Sequence, residues 1–181
     1  VASNALLALI AALAPPAGLD AFEATLARRD SATLALEDWC AAQRIAEPAV
    51  IRAHTLASSR PPSSRRALRH LGVSRNEPLA LRNVHLSCGE TVLSIAWNWY
   101  VPARLTSAMN EALRSSDTPF GKVVAPLHFR REPLATTAGA GEHCPAGTIS
   151  THQARLVLPD GRPLAYLIEC YTAANLTKGR P

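Results

Sequence analysis

The chain has 181 residues, a formal net charge of +5 at pH 7, a pI near 9.4, 48% hydrophobic residues and 18% charged ones. That is enough apolar material for one domain with a real core, and it excludes a disordered chain. Aromatic residues make up only 5%, and the densest basic cluster (Arg60, Arg65, Arg66, Arg69 and His70) has no aromatic interleaved. A stacking groove for single-stranded nucleic acid is therefore disfavoured, leaving a mildly basic surface that would steer small anions inward.

Residues 1–18 are apolar and Ala-rich, with no basic residue. They predict a helix over 3–14, stopped by Pro15 and Pro16, or else the remnant of an export signal. An exported protein would be periplasmic or secreted. No stretch supplies the roughly 20 apolar residues that a membrane span requires.

Leu19, Phe22 and Leu26 fall at helical spacing, so 19–29 predicts a helix. Asp30 and Ser31 are candidate N-caps for a second helix through Trp39 and Cys40. Val50 to Leu56 predicts a short strand, 58–64 a polar connection, and Arg65 to Leu71 a short helix. Asn76-Glu77-Pro78 turns the chain into a strand over 79–88. Cys88-Gly89-Glu90 is a tight hairpin into a second strand over 91–101.

Thr106 or Ser107 caps a helix with an apolar stripe of Leu105, Met109, Ala112 and Leu113. The turn SSDTPFG leads to an expected strand at 122–125, and residues 132–147, rich in Gly, Ala, Thr and Pro, predict a long loop. A final hairpin pairs 150–158 with 163–172 around Pro159-Asp160-Gly161. The order predicts an α+β fold: a single antiparallel sheet of about six strands with helices packed on one face. Its single domain is expected over 19–176, with 177–181 as a tail.

Four cysteines (Cys40, Cys88, Cys144, Cys170) show no CxxC spacing, so zinc-ribbon and thioredoxin-like patterns are excluded; their even number permits two disulfides without requiring them. Six dispersed histidines give no metal set either. Two charges stand out instead. Alternation puts Arg82 on one face with Val84 and Leu86, and Glu169 on one face with Leu167 and Tyr171. An inward Arg and an inward Glu need partners, either each other or the sheet edge, or they line a closed cavity for a small anion. Trp97 and Trp99 are read as packing residues, and His128 and His152 as candidate second donors near such a cavity.

The series LALRNVHLSCGETVLS, WYVP, a helix, DTPFGKVV and a last strand bearing Glu169 resembles the chorismate lyase family, as does Asp30-Ser31-Ala32-Thr33 before the second helix. The resemblance spans roughly residues 19 to 172. It implies a six-stranded antiparallel sheet with an internal cavity, a cofactor-free elimination of pyruvate from chorismate to leave 4-hydroxybenzoate, and a monomer in a bacterial cytoplasm. It also implies a carboxylate-binding role for Arg82, a main-chain N–H donor at Phe120, an active-site carboxyl at Glu169, and substrate contact at Ala32 and Thr33. Ala32 stands where that family has methionine, which makes one wall smaller. The second reading of the same fold is a non-catalytic domain that binds a small aromatic acid, similar to the effector-sensing domains of some bacterial regulators. No metal, cofactor, nucleic acid or membrane partner is expected under either reading.

Overall fold

A computed structural model describes residues 18–57 and 62–177. The helix expected over 3–14 and the end of the tail lie outside these residues. The described chain runs α1 (Leu19–Leu26), α2 (Ala32–Gln43), β1 (Ile51–Thr55), α3 (Arg65–Leu71), β2 (Ala80–Cys88), β3 (Thr91–Tyr100), α4 (Ser107–Ser115), α5 (Phe120–Val123), β4 (Arg130–Ala138), β5 (Thr148–Val157) and β6 (Pro163–Thr172), with short 3-10 turns between and after them. The strands form one antiparallel sheet in the order β1-β2-β3-β6-β5-β4. This is the α+β class and sheet expected from the element order.

Side-chain caps mark where two of the described helices begin. Ser31 accepts a hydrogen bond from Leu34 N at 3.4 Å and opens α2; Thr106 accepts from Met109 N at 3.2 Å and opens α4. Helix α2 ends at Arg44 in the left-handed conformation, and α3 ends at Gly72 in the same way.

The principal core lies on the face of the sheet that carries Val84, Leu86, Ala96 and Tyr171, covered by Phe22 of α1 and Leu36 and Trp39 of α2. Phe22 is edge-on to both Trp39 and Tyr171, with ring centroids 5.3 and 5.2 Å apart. A second cluster on that face joins Tyr100, Leu156 and Leu167 to Leu113 of α4 and Phe120 of α5. The reverse face receives the short α3, whose Ala67 and Leu71 pack on Trp97, Trp99, Tyr166 and Ile168. Strand β6 is buried from Leu164 to Tyr171, which explains its unbroken apolar run.

Two expectations are corrected. Residues 122–125 are not a strand: Pro119 precedes the short α5, and a 3-10 turn (Ala125–Leu127) follows. Val123 and Val124 favour a strand locally, but packing against α2 decides otherwise; Lys122 Nζ reaches Glu37 at 2.5 Å. Nor is 132–147 all loop. Its first part is β4, paired with β5 through Ala138 around a bulge at Pro133–Ala135. Strand β4 lies at the sheet edge and is mostly exposed, so it lacks the alternation that marks a half-buried strand, and a proline is tolerated there.

All four cysteines are paired. Cys40–Cys88 ties α2 to the end of β2, and Cys144–Cys170 ties the β4–β5 connection to β6. They close segments with sequence separations of 48 and 26 residues. Replacing both members of either pair by serine should lower unfolding stability by about 2–4 kcal/mol, read by urea denaturation without reductant. Reduction of the unaltered protein should produce at least the larger of the two losses.

Candidate functional site

On the core face, Glu169 sits in the centre of the sheet with 5% of its side chain exposed. Its partner is Arg131 of the edge strand β4, which reaches across β5 and is itself 12% exposed. Both guanidinium Nη atoms engage the two carboxylate oxygens: Nη1 lies 3.3 Å from Oε1, and Nη2 forms a short contact with Oε2. The Tyr171 hydroxyl donates to Oε2 at 3.1 Å. Arg131 N donates to Asp30 Oδ1 at 2.8 Å, which ties the strand to the entry of α2. Burial opposes the Arg131 charge, but Glu169, with Tyr171 and Asp30, holds its pKa above the ordinary arginine value. Burial, reinforced by Glu169, pushes the Tyr171 hydroxyl well above the usual phenol value.

This cluster stands where two cavities meet. An open cleft of about 480 Å³ runs between α1 and the β4–β5–β6 side of the sheet, with Glu23, Arg28, Asp30, Arg131, His152 and Tyr171 on its walls. His152 Nε2 pairs with Glu23 at 2.9 Å, and its ring stands edge-on to Tyr171 at 5.0 Å. Beside the cleft is a narrower space of about 30 Å³ under the start of α2 and α5. Asp30, Ala32 and Arg131 border both cavities.

The narrower space gathers Ala32, Thr33, Phe120 and Glu169, four of the five positions picked out from the sequence. Arg82 does not line it. Buried on the same face, Arg82 of β2 stands directly opposite Asn98 of β3, which does line it. The Arg82 guanidinium donates to the carbonyls of Thr118 and Ser116, each at 3.0 Å, and its buried Nε has no partner. Burial lowers its pKa, against the pull of Tyr100 and Asp117. Arg82 thus fixes the turn that presents Phe120, whose N–H belongs to the first turn of α5 and is not paired by that helix itself. Gly121 permits this approach: a Cβ there would sit 2.5 Å from Ser31 Oγ. Of the two histidines, His152 faces the open cleft, while His128 borders a shallow hollow beside Arg28 and Phe129. Trp97 and Trp99 pack on the reverse face.

Sequence reasoning missed Arg131. It falls in Arg130-Arg131-Glu132, at the start of a strand with no alternation, and nothing local separates it from its exposed neighbour Arg130. The unpartnered Glu169 was the available signal, since a buried carboxylate demands a cation. Among the described residues, no group of three or more His, Cys, Asp or Glu forms a metal-ligand set, and no helix is long and apolar enough to cross a membrane.

The fold is similar to that of several solved bacterial regulators. The effector domain of PhnF from Mycobacterium smegmatis superposes with a TM-score of 0.55 at 13% identity, covering 80% of this chain and 89% of that one. Full-length PhnF gives 0.56 at 14%, covering 82% and 66%. YydK of Bacillus subtilis, a possible transcriptional regulator, gives 0.50 at 13%, covering 72% and 62%, so this chain spans less than two thirds of either whole regulator. These likenesses establish the fold. No protein-family model matches the chain. In sequence it is 37% identical over 175 residues to y4mC of Sinorhizobium fredii, an uncharacterized protein, covering 85% of this chain and 73% of that one. The chain belongs to the y4mC family.

Removing one partner of the buried pair should be costly and removing both much less so. Arg131→Ala should lower stability by about 3–5 kcal/mol, whereas Arg131→Met with Glu169→Leu should recover most of that loss. Urea denaturation of the three proteins checks it. The tyrosines give a pH test. Tyr100, Tyr166 and Tyr171 are the protein's three tyrosines, and burial raises all of them. Unfolded chains bind fewer tyrosine protons than folded ones above about pH 10, so stability should fall as pH rises from there. Tyrosinate absorbance should therefore appear together with loss of near-UV dichroism, and not as a separate titration before it.

Proposed function

We propose that this domain is a receptor for a small organic acid, which it binds without converting. The acid occupies the open cleft with its carboxylate toward Arg131, while Glu169 and Tyr171 fix the orientation of that guanidinium. Ala32 and Thr33, the Phe120 N–H and the turn held by Arg82 form the wall into which the inner end of the guest presses. The observation that carries this reading is the Arg131–Glu169–Tyr171 cluster at the junction of the two cavities. Apolar side chains of similar volume would cost the core less than a desolvated ion pair, so a pair retained there is best explained by what it meets in the cleft. A volume of about 480 Å³ lies in the range of small-ligand sites, whereas about 30 Å³ falls well below it. The likeness to the PhnF effector domain supports binding over catalysis.

A chorismate lyase activity is the second reading, favoured by the convergence of Ala32, Thr33, Phe120 and Glu169 on one space. Against it, both oxygens of Glu169 already accept hydrogen bonds from Arg131 and Tyr171, so the carboxyl is engaged within the protein and not with a guest. A space of that size would also have to widen before it could hold chorismate.

Calorimetric titration with 4-hydroxybenzoate and related benzoates should give saturable binding, with Kd from about 1 μM to 1 mM. The folded Arg131→Met/Glu169→Leu variant should bind about tenfold or more weakly. Ala32→Phe, which narrows the junction without touching a charge, should weaken binding as well. Affinity unchanged in both variants would remove the cleft from consideration. Incubation with chorismate should release no pyruvate; pyruvate release that falls with Arg82→Ala and Glu169→Gln would establish the lyase reading instead.

A further inference from the structure

The basic cluster of the sequence finds a place on the opposite face of the sheet. Arg65, Arg66 and Arg69 of α3 border a hollow of about 250 Å³, floored by Trp99, Tyr166 and Ile168. Its far wall is the connection carrying Glu142 and His143. That wall is anchored twice: the Trp97 indole donates to the His143 carbonyl at 3.1 Å, and the next residue, Cys144, is disulfide-bonded to Cys170 of β6.

The charges around this hollow do not balance. Three guanidiniums face one carboxylate, Glu142, which is shared between Arg66 at 2.9 Å and the His143 ring at 3.1 Å. Arg65 and Arg69 are exposed. The excess field is felt nearby: burial first, then Arg155, Arg66 and Arg69, lower the pKa of His70, whose ring stacks on Tyr166 at 4.8 Å.

We propose that this hollow is a second binding site, for the dianionic phosphate of inorganic phosphate or a small phosphomonoester, gripped by Arg66 and Arg69 with Arg65 at the rim. Three guanidiniums against the single Glu142 carboxylate leave an excess of two positive charges around the hollow, which suits a group carrying about −1.5 to −2 at neutral pH. Guanidinium forks match tetrahedral oxyanions in pairs, which lysines would not do. The anchored wall and aromatic floor close the hollow on two sides, which suits a compact anion better than a continuous polymer.

Titration of the whole protein with inorganic phosphate and with phenyl phosphate, at low ionic strength, tests the site. Saturable binding with one equivalent is expected, with Kd at or below about 1 mM. Arg66→Gln with Arg69→Gln, a surface change that preserves helix propensity, should weaken it about tenfold or more. The Arg131→Met/Glu169→Leu variant should bind phosphate as the unaltered protein does, which separates this site from the organic-acid cleft. Equal affinity for the two probes identifies the free ion as the ligand, and preference for phenyl phosphate identifies an ester. Absence of saturation, affinity indifferent to the double glutamine variant, or binding of a single-stranded oligonucleotide with neither small phosphate, overturns the proposal.

Discussion

The interaction on which the candidate site depends is the ion pair between Arg131 and Glu169. It joins the edge of the sheet to its centre, because Arg131 leaves β4 and crosses β5 to reach β6. It also reaches the helical layer, since the Arg131 backbone donates to Asp30 at the start of α2. A charged pair in that position can be stable only if its remaining lone pairs are satisfied, and the Tyr171 hydroxyl supplies one of those bonds. The surrounding aromatic cluster of Phe22, Trp39 and Tyr171 in turn fixes the phenol. Charge, hydrogen bond and ring packing therefore form one unit, and the cleft under α1 is the space that unit leaves open.

The two basic regions of the molecule behave differently for a physical reason. On the core face the guanidiniums of Arg131 and Arg82 are spoken for, the first by a carboxylate and the second by two carbonyls. Selectivity there must come from shape and from hydrogen bonds already in place. On the reverse face the arginines of α3 outnumber their partners and stand in solvent, so attraction is longer-ranged and more sensitive to salt. The sheet separates these environments, since side chains of successive residues such as Leu167 and Ile168 fall into opposite clusters.

Much of this was legible in the sequence wherever burial is one-sided or complete. Helix α3 begins and ends where its sequence signals place it, β2 alternates as read, and the apolar run of β6 announces a strand covered on both faces. Inward-facing Arg82 and Glu169 could be named from strand parity alone. What could not be read was how the strands are ordered. Strand β4 reads as a loop because its side chains meet solvent, and α5 reads as a strand because two valines outweigh packing that only the fold supplies. The partner of Glu169 was hidden for the same reason: Arg131 lies 38 residues away, on the misread strand, and pairing across a sheet is a property of topology. The cysteine pairs were likewise beyond reach, since spacing alone leaves their connectivity open.

The strand order has a further consequence for how the chain acquires its shape. β6, last of the described strands, lies between β3 and β5, so the hairpin of β2 and β3 has an unpaired inner edge until residues 163–172 leave the ribosome. Glu169 arrives with that same segment, and Arg131 must wait for it. Until then the β3 edge is open to pairing with other chains, and the Arg131–Glu169 ion pair cannot form.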